Sequence, residues 1–105
     1  MTAVSIPPDE TRTMAEVRAG VNAVDRALLE LLATRFGYMR AAARIKPSRD
    51  AVRDEARKAE VIARVRAQAV ELGIPDTLIA ELWERLVEGS IGYELEQWDS
   101  RNSAD

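Results

Sequence analysis

The stretch TMAEVRAGVNAVDRALLELLATRFGYMRAAARIKP, residues 13–47, sets its stripe positions at Met14, Val17, Val21, Val24, Leu28, Leu31, Arg35, Tyr38, Ala42 and Ile45. Steps that alternate between three and four residues put these positions on one face of a helix and give it a heptad-like seam. Thr13 followed by Glu16 reads as a capping box at the start, and Pro47 ends the helix because its ring cannot continue the backbone ladder. A helix of some thirty residues is roughly 45–50 Å long, more than a compact domain of this size requires. Such a rod calls for a partner along its length.

Outward from that helix, apolar points at Val52, Ala56, Ala59, Val61, Ile62, Val65, Ala69 and Leu72 predict a second helix from about Asp50 to Leu72, stopped by Gly73. Pro75 and Asp76 restart the chain. Leu78, Ile79, Leu82, Trp83, Leu86, Ile91, Leu95 and Trp98 mark a third helix to about Asp99. The expected architecture is all-α, with three helices per chain, the first of them long. Residues 13–99 form the helical domain, residues 1–12 a loosely ordered N-terminal segment, and residues 100–105 a polar tail that frays. The segment Pro47-Ser48-Arg49-Asp50 is either a plain connector or a loop that closes over a ligand.

Composition narrows the chemistry. The 105 residues contain no Cys and no His, so thiolate nucleophiles, disulfides, imidazole bases and the usual zinc sites are excluded. With 47% hydrophobic and 31% charged residues, five Gly and four Pro, the chain has the profile of a helical globular protein. A net charge of −3 disfavours general binding to nucleic acid or to an anionic membrane. The start of the chain has no apolar run of the kind a secretory signal needs, and no stretch approaches a membrane span. A cytoplasmic protein is the simplest expectation. No cofactor and no metal are called for.

Two departures from the apolar pattern point to a polar interior. Arg35 falls on the seam of the first helix where a hydrophobe belongs, and on the third helix the stripe continues into Ser90 and Glu94. A buried guanidinium either pairs with a carboxylate of the protein or awaits an anionic ligand. Arg35 and Lys46 are 11 residues apart, close to three turns, so they share a face. Arg18 lies 17 residues before Arg35, roughly 25 Å away and about 100° round the helix. A small anion cannot touch both arginines of one straight helix. If both bind one ligand, Arg18 comes from a second chain; taken alone, Arg18, Arg53 and Arg57 read as solvated helix arginines. Fixed cations in a dry bundle suit a reaction that needs conformational restraint and stabilisation of developing charge.

Arg18 in V-R-A-G-V-N-A-V-D, Arg35 in L-L-A-T-R, Lys46 in A-A-A-R-I-K, Arg57 after V-R-D, and Ser90 with Glu94 together resemble the AroQ-class chorismate mutases, over residues 14 to 98. The resemblance implies an intertwined homodimeric bundle, with Arg18 supplied to each site by the other subunit. It implies the pericyclic rearrangement of chorismate to prephenate, with no covalent intermediate and no cofactor. By that likeness Arg18 and Arg35 hold the substrate carboxylates with help from Ser90. Lys46 and Glu94 face the ether oxygen, and Asp54 and Arg57 line the site.

A closely related branch, the isochorismate-pyruvate lyases of salicylate biosynthesis, is an alternative. The spacings of 17, 11 and 11 residues through Arg18, Arg35, Lys46 and Arg57 look like that branch, whereas Ser90 looks like the mutases. Lys58 stands where mutases often have a carboxylate for the substrate hydroxyl, and Glu94 where glutamine is commoner. A carboxylate at 94 repels a developing oxyanion unless it is protonated, so better activity is expected at acidic pH. Its plainer role is an ion pair with an arginine at a dimer interface. The third alternative is a non-catalytic helical dimerisation module, whose buried polar residues only fix register.

Overall fold

The capping box is formed as expected. Thr13 Oγ1 accepts from the Glu16 N–H at 3.1 Å, while Glu16 Oε1 accepts from the backbone N–H groups of Thr13 at 3.2 Å and Arg12 at 2.6 Å. From this start the computed structural model, which describes residues 6–103, winds α1 over Met14–Ile45, α2 over Glu55–Leu72 and α3 over Asp76–Arg101. Short 3-10 turns occupy Pro8–Glu10 and Arg49–Ala51, and no strand occurs among the described residues. The fold is all-α. No helix among these residues is long and apolar enough to cross a membrane.

Two compact units divide the chain between Gly37 and Tyr38. In the first, the Pro8–Glu10 turn is closed by Glu10 N–H to the Pro7 carbonyl at 2.9 Å and by Thr11 Oγ1 donating to the Pro8 carbonyl at 2.8 Å. Of the 1–12 segment expected to be loose, residues 1–5 lie outside the described set. Ile6, Pro7, Pro8 and Thr11 line a largely apolar groove of about 570 Å³ with Val17, Val21 and Val24. Further along α1, Leu28, Leu29 and Leu31 are exposed, Leu31 by 67%. Exposed apolar residues gathered along one helix in this way suit an interaction surface.

The second unit is built on a helical hairpin. Gly73 adopts the left-handed conformation at φ +72°, its N–H bonds to the Val70 carbonyl at 3.1 Å, and the Ile74 N–H reaches the Ala69 carbonyl at 3.0 Å. This satisfies the last carbonyls of α2 and turns the chain within three residues into α3, against which α2 packs. Val52, Val87 and Ile91 form the buried core, with Val61, Trp83 and Leu95 against it.

The second helix begins later than the pattern of apolar residues suggested. Asp54 is extended and accepts the Arg57 N–H at 3.0 Å, which makes it the N-cap of α2. Residues 49–51 therefore belong to a separate turn, and Arg53 precedes the helix instead of sharing a face with Arg57. Val52 fits the period of the helix without being in it. Its side chain, 3% exposed, plugs the core from the connection. At the other end α3 runs to Arg101, slightly past Asp99, and residues 104–105 of the expected tail lie outside the described set.

Candidate functional site

Lys46 follows the last residue of α1, and its N–H still donates to the Ala42 carbonyl at 2.9 Å. Pro47 then forces the chain out of the helix, so the lysine stem leaves from a fixed backbone. Its ammonium donates to the Val52 carbonyl at 3.3 Å and lies 2.8 Å from Glu94 Oε2. The lysine side chain is 29% exposed and the glutamate only 5%. This is a contact of charge more than of aligned hydrogen bonding, because Oε2 is buried and meets no donor at hydrogen-bonding angles. A buried carboxylate oxygen served by one cation and no directed donor is a group with bonding capacity to spare.

Glu94 is presented by α3. Val87, Ser90, Ile91 and Glu94 recur at steps of three and four and form its buried face, so two polar residues sit among apolar ones. Ser90 is buried and its Oγ donates to the Leu86 carbonyl one turn back at 2.7 Å. The stripe that was legible as a polar interruption is thus a single inward face.

The other expected site residues are placed differently. Asp54 caps α2, and Arg57 is exposed with its guanidinium on Glu60 at 3.0 Å; neither bonds to Lys46 or Glu94. Arg18 and Arg35 belong to the first unit, where Arg18 is exposed and Arg35 half-buried. Their separation of 17 residues on one helix keeps the expected distance of roughly 25 Å.

Several participants were not anticipated. The Val52 carbonyl, which orients Lys46, carries no signal in the sequence because every residue has one. Arg40 reaches Tyr93 Oη at 2.8 Å. Arg49 grips Asp99 through two bonds, at 2.8 and 3.1 Å, and Arg53 grips Glu88 at 2.7 and 3.1 Å. Lys58 does not stand free either, since its ammonium lies 2.8 Å from Glu84 and 2.6 Å from Glu88. Glu84 and Glu88 at i, i+4 on α3 were the available hint that a cationic strip faces them.

These exposed pairs shift each other's protonation. Hydrogen bonding from Arg53, then from Lys58, lowers the Glu88 carboxyl to about 2 against the opposing effect of desolvation. Lys58 is raised, chiefly by its bonds to Glu84 and Glu88. Through their shared bonds Asp99 raises the Arg49 guanidinium and Arg49 lowers the Asp99 carboxyl.

Isochorismate pyruvate lyase of Pseudomonas aeruginosa is similar to this chain at 23% identity over 97 residues, 92% of this chain and 96% of that protein. The chorismate mutase type II family matches residues 17–95, a span that starts near the head of α1, includes all of α2 and takes in both Lys46 and Glu94. With a match over three quarters of an all-α chain, a span that holds both the half-buried Lys46 after the long first helix and its buried partner Glu94 on α3, the protein is a member of the chorismate mutase type II family.

Proposed function

We propose that the protein is a chorismate mutase, which rearranges chorismate to prephenate by restraint and electrostatics alone. The observation that carries this reading is the Lys46–Glu94 pair, with Glu94 buried and one carboxylate oxygen without a directed donor. An ammonium has three N–H bonds. Val52 takes one, which leaves Lys46 able to balance Glu94 and also to donate to an incoming ether oxygen.

In the reaction one C–O bond of the substrate breaks as a C–C bond forms, and negative charge gathers on the ether oxygen. Lys46 stabilises that charge. Glu94, when protonated, adds a second donor to the same oxygen, and Ser90 serves a carboxylate or hydroxyl nearby. Arg35 and Arg18 bind the two substrate carboxylates, with Arg18 contributed by a second copy of the chain. The exposed apolar face of α1 supports that second copy. Asp54 and Arg57 are assigned to the rim, a role that requires the Arg57 guanidinium to leave Glu60 when substrate arrives.

A second reading is favoured by a specific observation. The similar Pseudomonas protein is named as an isochorismate pyruvate lyase, and the ammonium of Lys58 occupies the position where many mutases offer a carboxylate to the substrate hydroxyl. The same cations would then assist loss of pyruvate from isochorismate.

Product analysis separates the readings. Purified protein is offered chorismate and isochorismate in parallel across mildly acidic to neutral pH. Prephenate from chorismate is the expected outcome, salicylate and pyruvate from isochorismate alone would replace it with the lyase, and no product from either would favour a helical dimerisation module.

A further inference from the structure

Three cations of the connection between α1 and α2 meet three carboxylates of α3 in the second unit. Lys46 meets Glu94, Arg49 meets Asp99 and Arg53 meets Glu88. On α3, Glu94 lies between the other two acids, six residues after Glu88 and five before Asp99. The outer pairs are bidentate arginine–carboxylate contacts, the geometry that fixes orientation as well as distance. They flank Val52, whose carbonyl accepts from Lys46.

Val52 alone does not define that carbonyl. Its buried side chain fixes how deep the connection sits, and apolar burial outweighs exposed ion pairs in stability. Burial is non-directional, however, and leaves the peptide plane free to turn about the side-chain anchor. The turn at 49–51 is held by only two backbone bonds, Ala51 N–H to Ser48 and Val52 N–H to Arg49, both 3.1 Å. Arg49 accepts the second of these on its carbonyl while its guanidinium is fixed on Asp99. Arg53, directly after Val52, supplies the N–H of the peptide unit that carries the Val52 carbonyl, and its guanidinium is fixed on Glu88.

We propose that Arg49–Asp99 and Arg53–Glu88 are positioning pairs that staple the connection along α3, aim the Val52 carbonyl, and through it hold the Lys46 ammonium for catalysis. The inference rests on the proposed role of Lys46, and it assigns work to four residues that touch no substrate.

Arg49–Asp99 gives the cleaner test, because Arg53 also contacts Glu55, and Glu88 also contacts Lys58. Arg49→Gln, Asp99→Asn and the exchanged pair Arg49→Asp/Asp99→Arg are compared with the wild type. Three readouts are taken: kcat and KM, thermal melting, and the NMR signals of the two Lys46 Hε protons, which are distinct only when the side chain is held. The expected result for each single variant is a loss of about tenfold in kcat from misplacement of the reacting group, with KM and melting nearly unchanged. The Lys46 Hε signals should merge, and the exchanged pair should recover both kcat and the split signals. Unchanged Lys46 signals in the single variants would overturn the proposal, as would unchanged kcat with merged signals. Failure of the exchanged pair to recover kcat while it melts normally would also overturn it. If the wild type turns over neither chorismate nor isochorismate, the function falls, and the Lys46 signals still decide whether the pairs hold the lysine.

Discussion

Glu94 Oε2 stands 2.8 Å from Lys46 Nζ, and the acid is far more deeply buried than the base. The carboxylate is thus the member that depends on the pair, and the lysine is the member that solvent or substrate can reach. Glu94→Gln removes the charge while keeping an acceptor and adding a donor. An amide donates to the ether oxygen without a protonation step, so the variant should keep its turnover at neutral pH. A Glu94→Gln protein that melts normally but has lost turnover would count against the role.

Removing the base exposes the dependence from the other side. Lys46→Met leaves a buried carboxylate without its cation, which costs about 2–4 kcal/mol when the partial exposure of the lysine is allowed for. It also removes the oxyanion donor, for which a loss of about 10²–10³ in kcat is expected. Lys46→Met/Glu94→Leu should regain most of the lost stability and none of the activity. Thermal melting beside turnover checks both, and a double variant no more stable than Lys46→Met would show that Glu94 is not strained by the loss of its partner.

Arg18 and Arg35 are too far apart on one helix to serve one small ligand, so their variants should complement each other. Arg18→Ala and Arg35→Ala are each expected to be nearly inactive. Unfolded together and refolded as a mixture, they should recover about a quarter of the wild-type sites, because half the dimers are mixed and one site of each mixed dimer is intact. No recovery, with dimers present by sedimentation, would place both arginines in the same subunit's site or in none.

The acidic strip on α3 governs acid stability. In the folded chain Glu88 is lowered to about 2 from its ordinary 4.5, mainly by its hydrogen bonds to Arg53 and Lys58. A carboxyl lowered by folding contributes its full share of stability above its unfolded value and loses it as pH falls through the folded one. The melting temperature of wild type should therefore exceed that of Glu88→Gln near pH 6, with the gap closing between about 4.5 and about 2. A gap independent of pH would mean that the carboxylate's charge is not what stabilises.

Legibility followed the physics of each feature. Periodic features were readable: the long α1 helix, the Thr13–Glu16 box and the Gly73 stop all follow from side-chain spacing or from a conformation only glycine enters easily, and the structure has each of them. Ser90 and Glu94 were readable as polar residues in an apolar stripe, and they are buried. The boundary of α2 was not. Val52 keeps the helical period, and only the capping geometry of Asp54 shows that the helix starts after it. Lys46 and Glu94 were brought together only by the family resemblance, and the grip of Arg49 on Asp99 was not readable at all, since these pairs join residues about fifty positions apart and depend on how α3 is aligned with the connection. Lys58 looked like a departure from a binding pattern; beside Glu84 and Glu88 it is an ordinary charge pair between helices.

The left-handed turn at Gly73 also sets an order of events. It makes the α2–α3 hairpin a local structure, in which Lys58 and Glu84 are 26 residues apart, whereas Arg49 and Asp99 are 50 apart. Doubling a loop costs only about 0.6 kcal/mol in closure entropy, so the longer closure is disfavoured about threefold on its own. It also needs the aligned hairpin as its template. The expected order is the hairpin first and the connection along α3 afterwards, with Lys46 last. Fluorescence from Trp83 in the hairpin core should recover ahead of catalysis in a refolding experiment, which makes the site the youngest part of the molecule each time a chain folds.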